Sequence, residues 1–232
     1  MQKKSIQFDL NIDNHMTKVG ILGSGDIGKA LAKGFLKHGY QVVIGSDHVE
    51  KLGKKEFKKE NAKIETATFE QIAQSRDIIV LCAKGTIAEK IVEKLRTNLV
   101  GKTVIDTTNP IADIPPQNGV LKVFTTLEES LMERLQKIAP DAHFVTAFNS
   151  VGSAFMVNPD FGDDTRPTMF ICGNDDDAKK KVSEILEKFG FEVEDMGMAE
   201  SGRAIEPLCI LWCTPGFLRK EWTHAFKLLK KE

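Results

Sequence analysis

The feature that most constrains the fold is a glycine-rich turn between a short apolar run and an amphipathic segment. Residues 18–22 read KVGIL, residues 23–28 read GSGDIG, and residues 29–39 carry apolar side chains at helical spacing. Residues 40–44 return to β-forming side chains. This order predicts a strand, a tight turn, a helix and a second strand, which together form a βαβ unit.

The glycines of this turn have the spacing G-x-G-x-x-G, in the strand–turn–helix context that gives the motif its meaning. Gly23 permits the tight turn, Gly25 lets the backbone approach a pyrophosphate, and Gly28 lets helix and strand pack closely. Backbone N–H groups at the helix start then face the phosphates, assisted by the helix dipole. The motif therefore predicts a dinucleotide site.

Strand and helix patterns alternate along the rest of the chain. Strands are predicted at 77–82, 103–106, 143–148, 168–172 and 191–195. Helices are predicted at 51–61, 69–75, 86–99, 127–138 and 177–189. Long loops are expected at 111–120 and 150–167, and 201–229 reads as an apolar helical tail interrupted at Pro207 and at Pro215-Gly216.

This alternation predicts an α/β fold with a doubly wound, mostly parallel sheet of the Rossmann NAD(P)-binding type. We expect an N-terminal extension at 1–17, a dinucleotide-binding domain at 18–150, and a small C-terminal α/β substrate or acceptor domain at 151–232.

Composition narrows the function classes. The chain has 32 Lys and Arg residues and 33 Asp and Glu residues, so it lacks the excess of basic residues that is typical of a nucleic-acid binder. No apolar run approaches the roughly 18 residues of a membrane span, and the N-terminus lacks a signal-peptide core. We expect a cytoplasmic protein. Its cysteines are most simply buried apolar thiols, and none of its histidines has a metal-ligand spacing.

The end of the second strand selects between NAD and NADP in such folds. Here Ser46 stands at the selecting position and Asp47 and His48 follow it. Asp47 would repel a 2′-phosphate, but three lysines follow at 51, 54 and 55. These residues alone leave the choice of cofactor open.

The carboxyl ends of the later strands should surround the nicotinamide, because ligands of such sheets bind there. The amides of Asn109 and Asn149 suit a carboxamide or a ribose, although loop capping explains either one equally well. The remaining candidates at these ends are Ala83, Lys84, Pro110 and Ala147.

No proton-transferring side chain stands out near these strand ends. The only tyrosine is Tyr40 on the second strand, and no histidine lies beside a candidate nucleophile. An alcohol dehydrogenase needs a group that moves the hydroxyl proton, whereas hydride transfer between two stacked rings chiefly needs alignment. The sequence therefore favours a ring-to-ring hydride transfer.

Several segments together resemble the coenzyme F-420 (F420)-dependent NADP oxidoreductase family. They are GSGDIG, VVIGS, TNP, AFNSVG, PTMFICGND, DMG followed by SGRAIEPL, and HAFKLL, and they run from about Lys18 to Leu229. The resemblance implies a Rossmann domain followed by a small C-terminal part, with a second ring bound in the cleft between them.

The resemblance also implies roles for individual residues. Ser24, Asp26 and Ile27 would join the glycines around the pyrophosphate, and Ser46 would meet the 2′-phosphate. The family places an arginine after that serine, where this chain has Asp47. Asn149 falls beside the reacting rings, as the candidate catalytic residue. Arg203 and Glu206 match an Arg-x-x-Glu pattern near the acceptor, although a simple ion pair along a helix explains them equally well.

These observations predict an NAD(P)-dependent oxidoreductase, more NADPH- than NADH-dependent, that passes hydride between nicotinamide and a flavin- or deazaflavin-like ring such as F420. Two alternatives stay open: a dinucleotide-binding sensor without turnover, and a dehydrogenase of small imino or hydroxy acids. The partner we expect is a small-molecule hydride acceptor. A homodimer through the apolar segment at 208–217 is a further expectation.

Overall fold

The computed structural model contains the predicted βαβ unit. β1 (Lys18–Leu22), α1 (Asp26–Lys37) and β2 (Gln41–Gly45) follow each other directly. The two strands pair in parallel, with Lys18 opposite Gln41 and Leu22 opposite Gly45. The structure describes residues 17–46, 63–163 and 165–231, so the predicted helix at 51–61 and nearly all of the extension at 1–17 lie outside the described residues.

The chain then alternates between strands and helices as far as residue 146. The elements are β3 (Glu65–Ala67), α2 (Phe69–Ser75), β4 (Ile78–Leu81), α3 (Gly85–Leu95), β5 (Thr103–Asp106), α4 (Leu131–Ile138) and β6 (His143–Thr146). The sheet order is β3-β2-β1-β4-β5-β6, and every pairing is parallel. This confirms the doubly wound Rossmann-type fold. The three-residue strand β3 is too short to leave a pattern in the sequence.

Two strands outside this sheet form a small parallel pair. β7 (Thr168–Ile171), α5 (Asp176–Lys188) and β8 (Glu192–Asp195) follow the long loop, with Thr168 opposite Glu192. The buried side chains of Phe189 and Phe191 share one apolar cluster with Phe35 of α1 and Val145 of β6. The domain boundary at residue 150 stays a prediction.

The C-terminal segment differs in part from the expectation. α6 (Gly202–Ile205) and α7 (Pro207–Arg219) are separated at Pro207, as predicted. Pro215, however, lies inside α7 rather than ending it, so the predicted interruption there is wrong. A proline at 215 removes the donor that would bond the Leu211 carbonyl, and because Leu211 is exposed, water can satisfy that oxygen.

The predicted helix beyond residue 219 is also wrong, because residues 220–231 form neither helix nor strand. The Trp212 indole N–H donates to the His224 carbonyl at 2.9 Å, and the Thr168 N–H donates to the Phe226 carbonyl at 2.8 Å. These bonds hold the tail against α7 and the start of β7. Tertiary hydrogen bonds therefore replace the helical ones that the apolar pattern suggested.

The burial of the cysteines and the exposure of apolar side chains on α7 relate to two predictions from the sequence, the apolar thiols and the homodimer. Cys172 and Cys209 are buried, as expected of apolar thiols, and Cys82 and Cys213 are half-buried. Leu211 and Phe217 are exposed on α7, and the homodimer stays a prediction. Within the described ranges, no helix has the length and hydropathy needed to cross a bilayer.

Candidate functional site

A cleft of about 430 Å³ opens at the carboxyl ends of β1, β4 and β5. It lies where the strand order reverses between β1 and β4, which is where open α/β sheets bind ligands. Six predicted site residues line it: Gly25, Asp26, Ile27, Ala83, Lys84 and Asn109. Cys82, Thr107 and Thr108, which belong to the same strand ends, also line it. Gly85, Ile111 and Asp113 line it too, and the sequence did not single these three out.

The glycine turn has the geometry that a pyrophosphate requires. Gly23 has φ +135°, and a Cβ there would overlap the Cys82 carbonyl. A Cβ at Gly28 would overlap the Gly23 carbonyl, so both positions need glycine for close packing. A Cβ at Gly25, in contrast, would meet no atom within 4 Å. The space above Gly25 is therefore open to a ligand.

The start of α1 faces this open space. Gly25 is its N-cap and has no side chain to accept from the first N–H groups of the helix. These groups and the helix dipole favour an anion at that end. Ser24 is half-buried in the same turn, between Gly23 and Gly25. The turn and the helix start thus fit the phosphates of a dinucleotide.

A second close approach joins the start of α3 to the loop after β5. A Cβ at Gly85 would overlap the Asn109 carbonyl, so this contact needs glycine. Beside it, the Lys84 ammonium lies 3.4 Å from the Asp113 carboxylate, and both side chains are largely exposed. An exposed pair of this kind contributes little to stability, so Lys84 remains available to a ligand. Gly85 directly follows Lys84 in the sequence, and this glycine was the one available sign of the close approach to Asn109, which the sequence analysis missed.

Asn109 has one buried polar atom without a partner. Its side-chain amide nitrogen donates to the Asn149 carbonyl at 3.0 Å, while its Oδ1 is buried and accepts no hydrogen bond. A buried acceptor left unpaired costs about 1–3 kcal/mol. A carboxamide N–H of a nicotinamide is a suitable donor for it. The cleft therefore fits a nicotinamide dinucleotide at both its phosphate end and its ring end.

Asn149 lies behind the cleft rather than on its wall. It is 3% exposed, its amide nitrogen donates to the Ile205 carbonyl at 3.1 Å, and its Oδ1 is also buried without a partner. Ala147 is fully buried, and its N–H donates to the Asp106 carbonyl at 2.9 Å. Contact of either residue with a bound ligand stays a prediction.

Two threonines and an aspartate form a buried polar group under the cleft. Asp106 ends β5 and is 1% exposed, and burial raises the pKa of its carboxyl to about 6. Its Oδ1 accepts from the Thr108 hydroxyl at 2.7 Å and from the Thr108 N–H at 2.9 Å. Thr107 instead donates its hydroxyl to the Leu81 carbonyl at 3.0 Å. Sequence reasoning missed this group, because nothing in the TVIDTTNP run shows that Asp106 is buried.

The Cys82 thiol on the cleft wall is not an activated nucleophile. Burial raises its pKa to about 12, and the nearby charge of Asp106 acts in the same direction. A thiol becomes reactive when its pKa is lowered toward neutrality. Its place in the cleft is therefore that of an apolar wall.

Arg203 and Glu206 do not pair with each other, so the simple ion pair along a helix is wrong. The Arg203 guanidinium binds both carboxylate oxygens of Glu133, at 2.9 and 2.5 Å. Glu206 is 4% exposed and accepts from the backbone N–H groups of Leu131 and Met132, at 3.1 and 2.9 Å. Both residues thus join α6 and its junction with α7 to the N-terminus of α4.

The pKa values of Glu133 and Glu206 are shifted in opposite directions. The Arg203 guanidinium lowers the pKa of Glu133 to about 2, assisted by hydrogen bonds from Ser130. Burial raises the pKa of Glu206 to about 7, although its two backbone N–H donors act the other way. Glu133 is therefore ionised at neutral pH, whereas Glu206 titrates near it.

A smaller pocket of about 170 Å³ lies between the loop after β5 and α6. Pro110, Arg203 and Glu206 line it together with Val123, Thr125, Thr126, Leu127 and Pro207. Pro110 stands between Asn109 and Ile111, which line the cleft, so one loop segment contributes to both cavities.

Ser46 directly follows β2, at the position that selects the cofactor in such folds. Asp47 and His48 lie outside the described residues. Their assignment to the cofactor site stays a prediction.

Comparison with known proteins gives three findings. Residues 18–110 match the model of a family described as NADP oxidoreductase, coenzyme F420-dependent. Metalloreductase STEAP3 of Rattus norvegicus is 31% identical over 205 residues, which cover 87% of this chain and 39% of that protein. The F420-dependent NADP reductase of Methanocaldococcus jannaschii is 28% identical over 201 residues, which cover 82% of this chain and 88% of the reductase.

A solved structure resembles the whole fold. A candidate F420-dependent NADP reductase from Arthrobacter sp. fb24 superposes with a TM-score of 0.85 at 24% identity, over 92% of this chain and 100% of that chain. The chain spans about two fifths of the length of the metalloreductases that it matches.

Proposed function

Because the chain belongs to the coenzyme F420-dependent NADP oxidoreductase family, we propose that it passes a hydride between NADP(H) and a flavin- or deazaflavin-like acceptor ring. The reduced nicotinamide supplies the hydride when it is bound. The residues of this chain bind, orient and shield the two rings, and no covalent step is needed.

The observation that carries this proposal is the combination, in one cleft, of open space at the glycine turn and an unpaired acceptor on Asn109. Open space above Gly25 at the start of α1 suits the pyrophosphate, and the unpaired Oδ1 of Asn109 suits the nicotinamide carboxamide. Both belong to the same 430 Å³ cleft. Together they favour a dinucleotide over a mononucleotide or a simple phosphate.

NADP is the proposed cofactor rather than NAD. The family and the archaeal relative are both named for NADP, and Ser46 stands where a small polar group meets a 2′-phosphate. Asp47 would act against that choice through charge repulsion.

The proposed acceptor site is the side of the cleft next to the smaller pocket. Pro110 lines that pocket between two residues of the cleft wall, and Arg203 and Glu206 form its far side. Asn149 supports this arrangement by accepting the amide of Asn109 on its carbonyl and bonding Ile205 with its own amide. A planar ring held here would lie beside the nicotinamide.

The test is a titration of the purified protein with NADPH and NADH, followed by oxidation of each with F420, FMN or menadione. We expect tighter binding of NADPH and turnover with at least one ring acceptor. Binding without turnover on any of the three would favour the sensor instead. A clear preference for NADH would assign Asp47 to the ribose and contradict the choice of NADP.

A further inference from the structure

Asp106 is a buried carboxyl group that no described basic side chain neutralises. It is 1% exposed, and its described partners are the hydroxyl and the N–H of Thr108. An ionised carboxylate in such a place is costly unless it is paired, so the neutral acid is favoured. A buried carboxyl group that holds a proton is a candidate for proton transfer.

Thr108 connects this carboxyl group to the cleft. It contributes to the cleft wall next to Asn109, and its hydroxyl oxygen lies 2.7 Å from Asp106 Oδ1. A separation of 2.7 Å is the usual length of an O–H···O bond. In this structure the Thr108 hydroxyl donates to Asp106 Oδ1, and the direction of the bond would reverse when Asp106 carries its proton on Oδ1. Thr108, itself 2% exposed, therefore contacts the buried acid and contributes to the wall of the cleft.

We propose that Thr108 and Asp106 deliver to the acceptor the proton that it takes up together with the hydride. This inference rests on the proposed function and adds to it a catalytic residue, Thr108, and a positioning residue behind it, Asp106. It also supplies the proton donor that the sequence did not reveal.

The hydride moves from the reduced nicotinamide to the acceptor with both electrons of its C–H bond, which oxidises NADPH and reduces the acceptor ring. A ring nitrogen or oxygen of the acceptor takes the Thr108 hydroxyl proton, and the Thr108 oxygen takes the proton of the Asp106 carboxyl group. Asp106 is left as a carboxylate and regains a proton from solvent, so the sum is NADPH, one proton and acceptor giving NADP⁺ and reduced acceptor.

The surroundings of Asp106 favour its protonated form up to about pH 6. Burial raises its pKa to about 6. The titratable groups around it are Cys82 after β4, Cys172 after β7, and Glu206 at the junction of α6 and α7. All three are acids, and the charge of Asp106 raises the pKa of each. None of them can stabilise its ionised form.

A purely structural role for Asp106 is separable from this one. A side-chain oxygen that accepts from the N–H two residues on shapes a turn, and asparagine does this as well as aspartate. Asp106→Asn therefore keeps the turn and removes the titrating proton. Thr108→Val removes the hydroxyl at nearly constant volume, and Thr108→Ser restores it. Thr103→Val, at the opposite end of β5, is the matched control.

The experiment measures the NADPH dissociation constant by fluorescence and the single-turnover rate of NADPH oxidation by F420, FMN or menadione between pH 5 and 8. We expect Thr108→Val and Asp106→Asn to slow oxidation about a hundredfold without weakening NADPH binding. Thr108→Ser should recover most of the rate that Thr108→Val loses, and Thr103→Val should stay near the wild-type rate. The wild-type rate should fall as the pH rises through about 6, and Asp106→Asn should abolish that dependence.

An infrared titration gives a readout that needs no acceptor. The difference spectrum between wild type and Asp106→Asn at pH 5 should show the C=O stretch of one buried protonated carboxyl, lost through about pH 6; the band of Glu206, which titrates near pH 7, is common to both proteins and cancels. Absence of this band at pH 5 would overturn the inference, as would a Thr108→Val variant with the rate and pH profile of the wild type. Both results leave the proposed function intact. Wild-type protein that binds NADPH and reduces none of the three acceptors would overturn the proposed function and this inference together.

Discussion

The side-chain amide of Asn149 donates a hydrogen bond to the main-chain carbonyl of Ile205 at 3.1 Å. That carbonyl is free because the helix is interrupted at Pro207 and the Cys209 N–H donates to Glu206 instead. The carbonyl of Asn149 in turn accepts the amide of Asn109 from the cleft wall. A chain of two hydrogen bonds therefore connects the nucleotide cleft with the C-terminal helices.

Replacing Asn149 should loosen these helices. Asn149→Ala leaves the Ile205 carbonyl buried and unpaired, so we expect a loss of about 1–3 kcal/mol in the free energy of unfolding. Hydrogen–deuterium exchange should become faster in α7, whereas α2, which is capped by its own Thr68 and Gln71, should exchange as in the wild type. Unchanged exchange in α7 would show that Asn149 does not hold the helix pair.

Substitutions in the glycine turn can distinguish an effect on NADPH binding from an effect on folding. Gly25→Val places its side chain in open space, so we expect a folded protein whose midpoint of thermal unfolding changes little. The same side chain fills the space proposed for the pyrophosphate, and NADPH affinity should fall at least about tenfold, which corresponds to about 1.4 kcal/mol.

Gly28→Val is the contrasting variant. Its Cβ would overlap the Gly23 carbonyl, so this variant should lose stability rather than binding alone. Circular dichroism and NADPH fluorescence measured on both proteins distinguish the two effects. Undiminished NADPH binding by Gly25→Val would contradict a phosphate site at this turn.

The sequence reveals the sheet and the phosphate end of the cleft far better than the rest of the site. β1 and β5 have the predicted bounds, and Gly23, Gly25 and Gly28 mark a local motif whose geometry depends only on neighbouring residues. In such cases the pattern and the structure have the same local cause.

The parts that sequence reasoning missed depend on contacts between distant residues. The Glu206 carboxylate accepts from the N–H groups of Leu131 and Met132, which lie 75 and 74 positions away in the sequence. No spacing pattern along the chain predicts a pairing over this distance. The burial of Asp106 follows from its place between Leu81 of β4 and Thr146 of β6. The nonhelical path of the tail after residue 219 likewise follows from its bonds to Trp212 and Thr168.

The stability of the protein should depend on pH through Asp106. Its carboxyl has an ordinary pKa of 3.8 and a pKa of about 6 in the folded protein, so the folded state holds more protons between these values. Stability therefore falls as the pH rises from about 4 to about 6, and the full penalty remains above 6. A difference of about 2 in pKa corresponds to about 3 kcal/mol.

Asp106→Asn should remove this penalty. We expect the variant to unfold at a higher denaturant concentration than the wild type at pH 8, and the two proteins to converge near pH 4. The proposed proton donor would then be a group that lowers stability where the protein works. Equal unfolding curves at pH 8 would show that the buried carboxylate carries no such cost.

The Arg203–Glu133 pair should give the opposite dependence on pH. Arg203 lowers the pKa of Glu133 from 4.5 to about 2, so the carboxylate contributes stability that is complete above about 4.5 and is lost as the pH falls toward 2. Glu133→Gln should therefore lower the midpoint of thermal unfolding at pH 7, and its difference from the wild type should shrink as the pH approaches 2. Glu184→Gln, an exposed position on α5, should match the wild type throughout. A Glu133→Gln deficit that is as large at pH 2 as at pH 7 would mean that the stabilising contribution of Glu133 comes from its hydrogen bonds with Ser130 at the start of α4, not from its ion pair with Arg203.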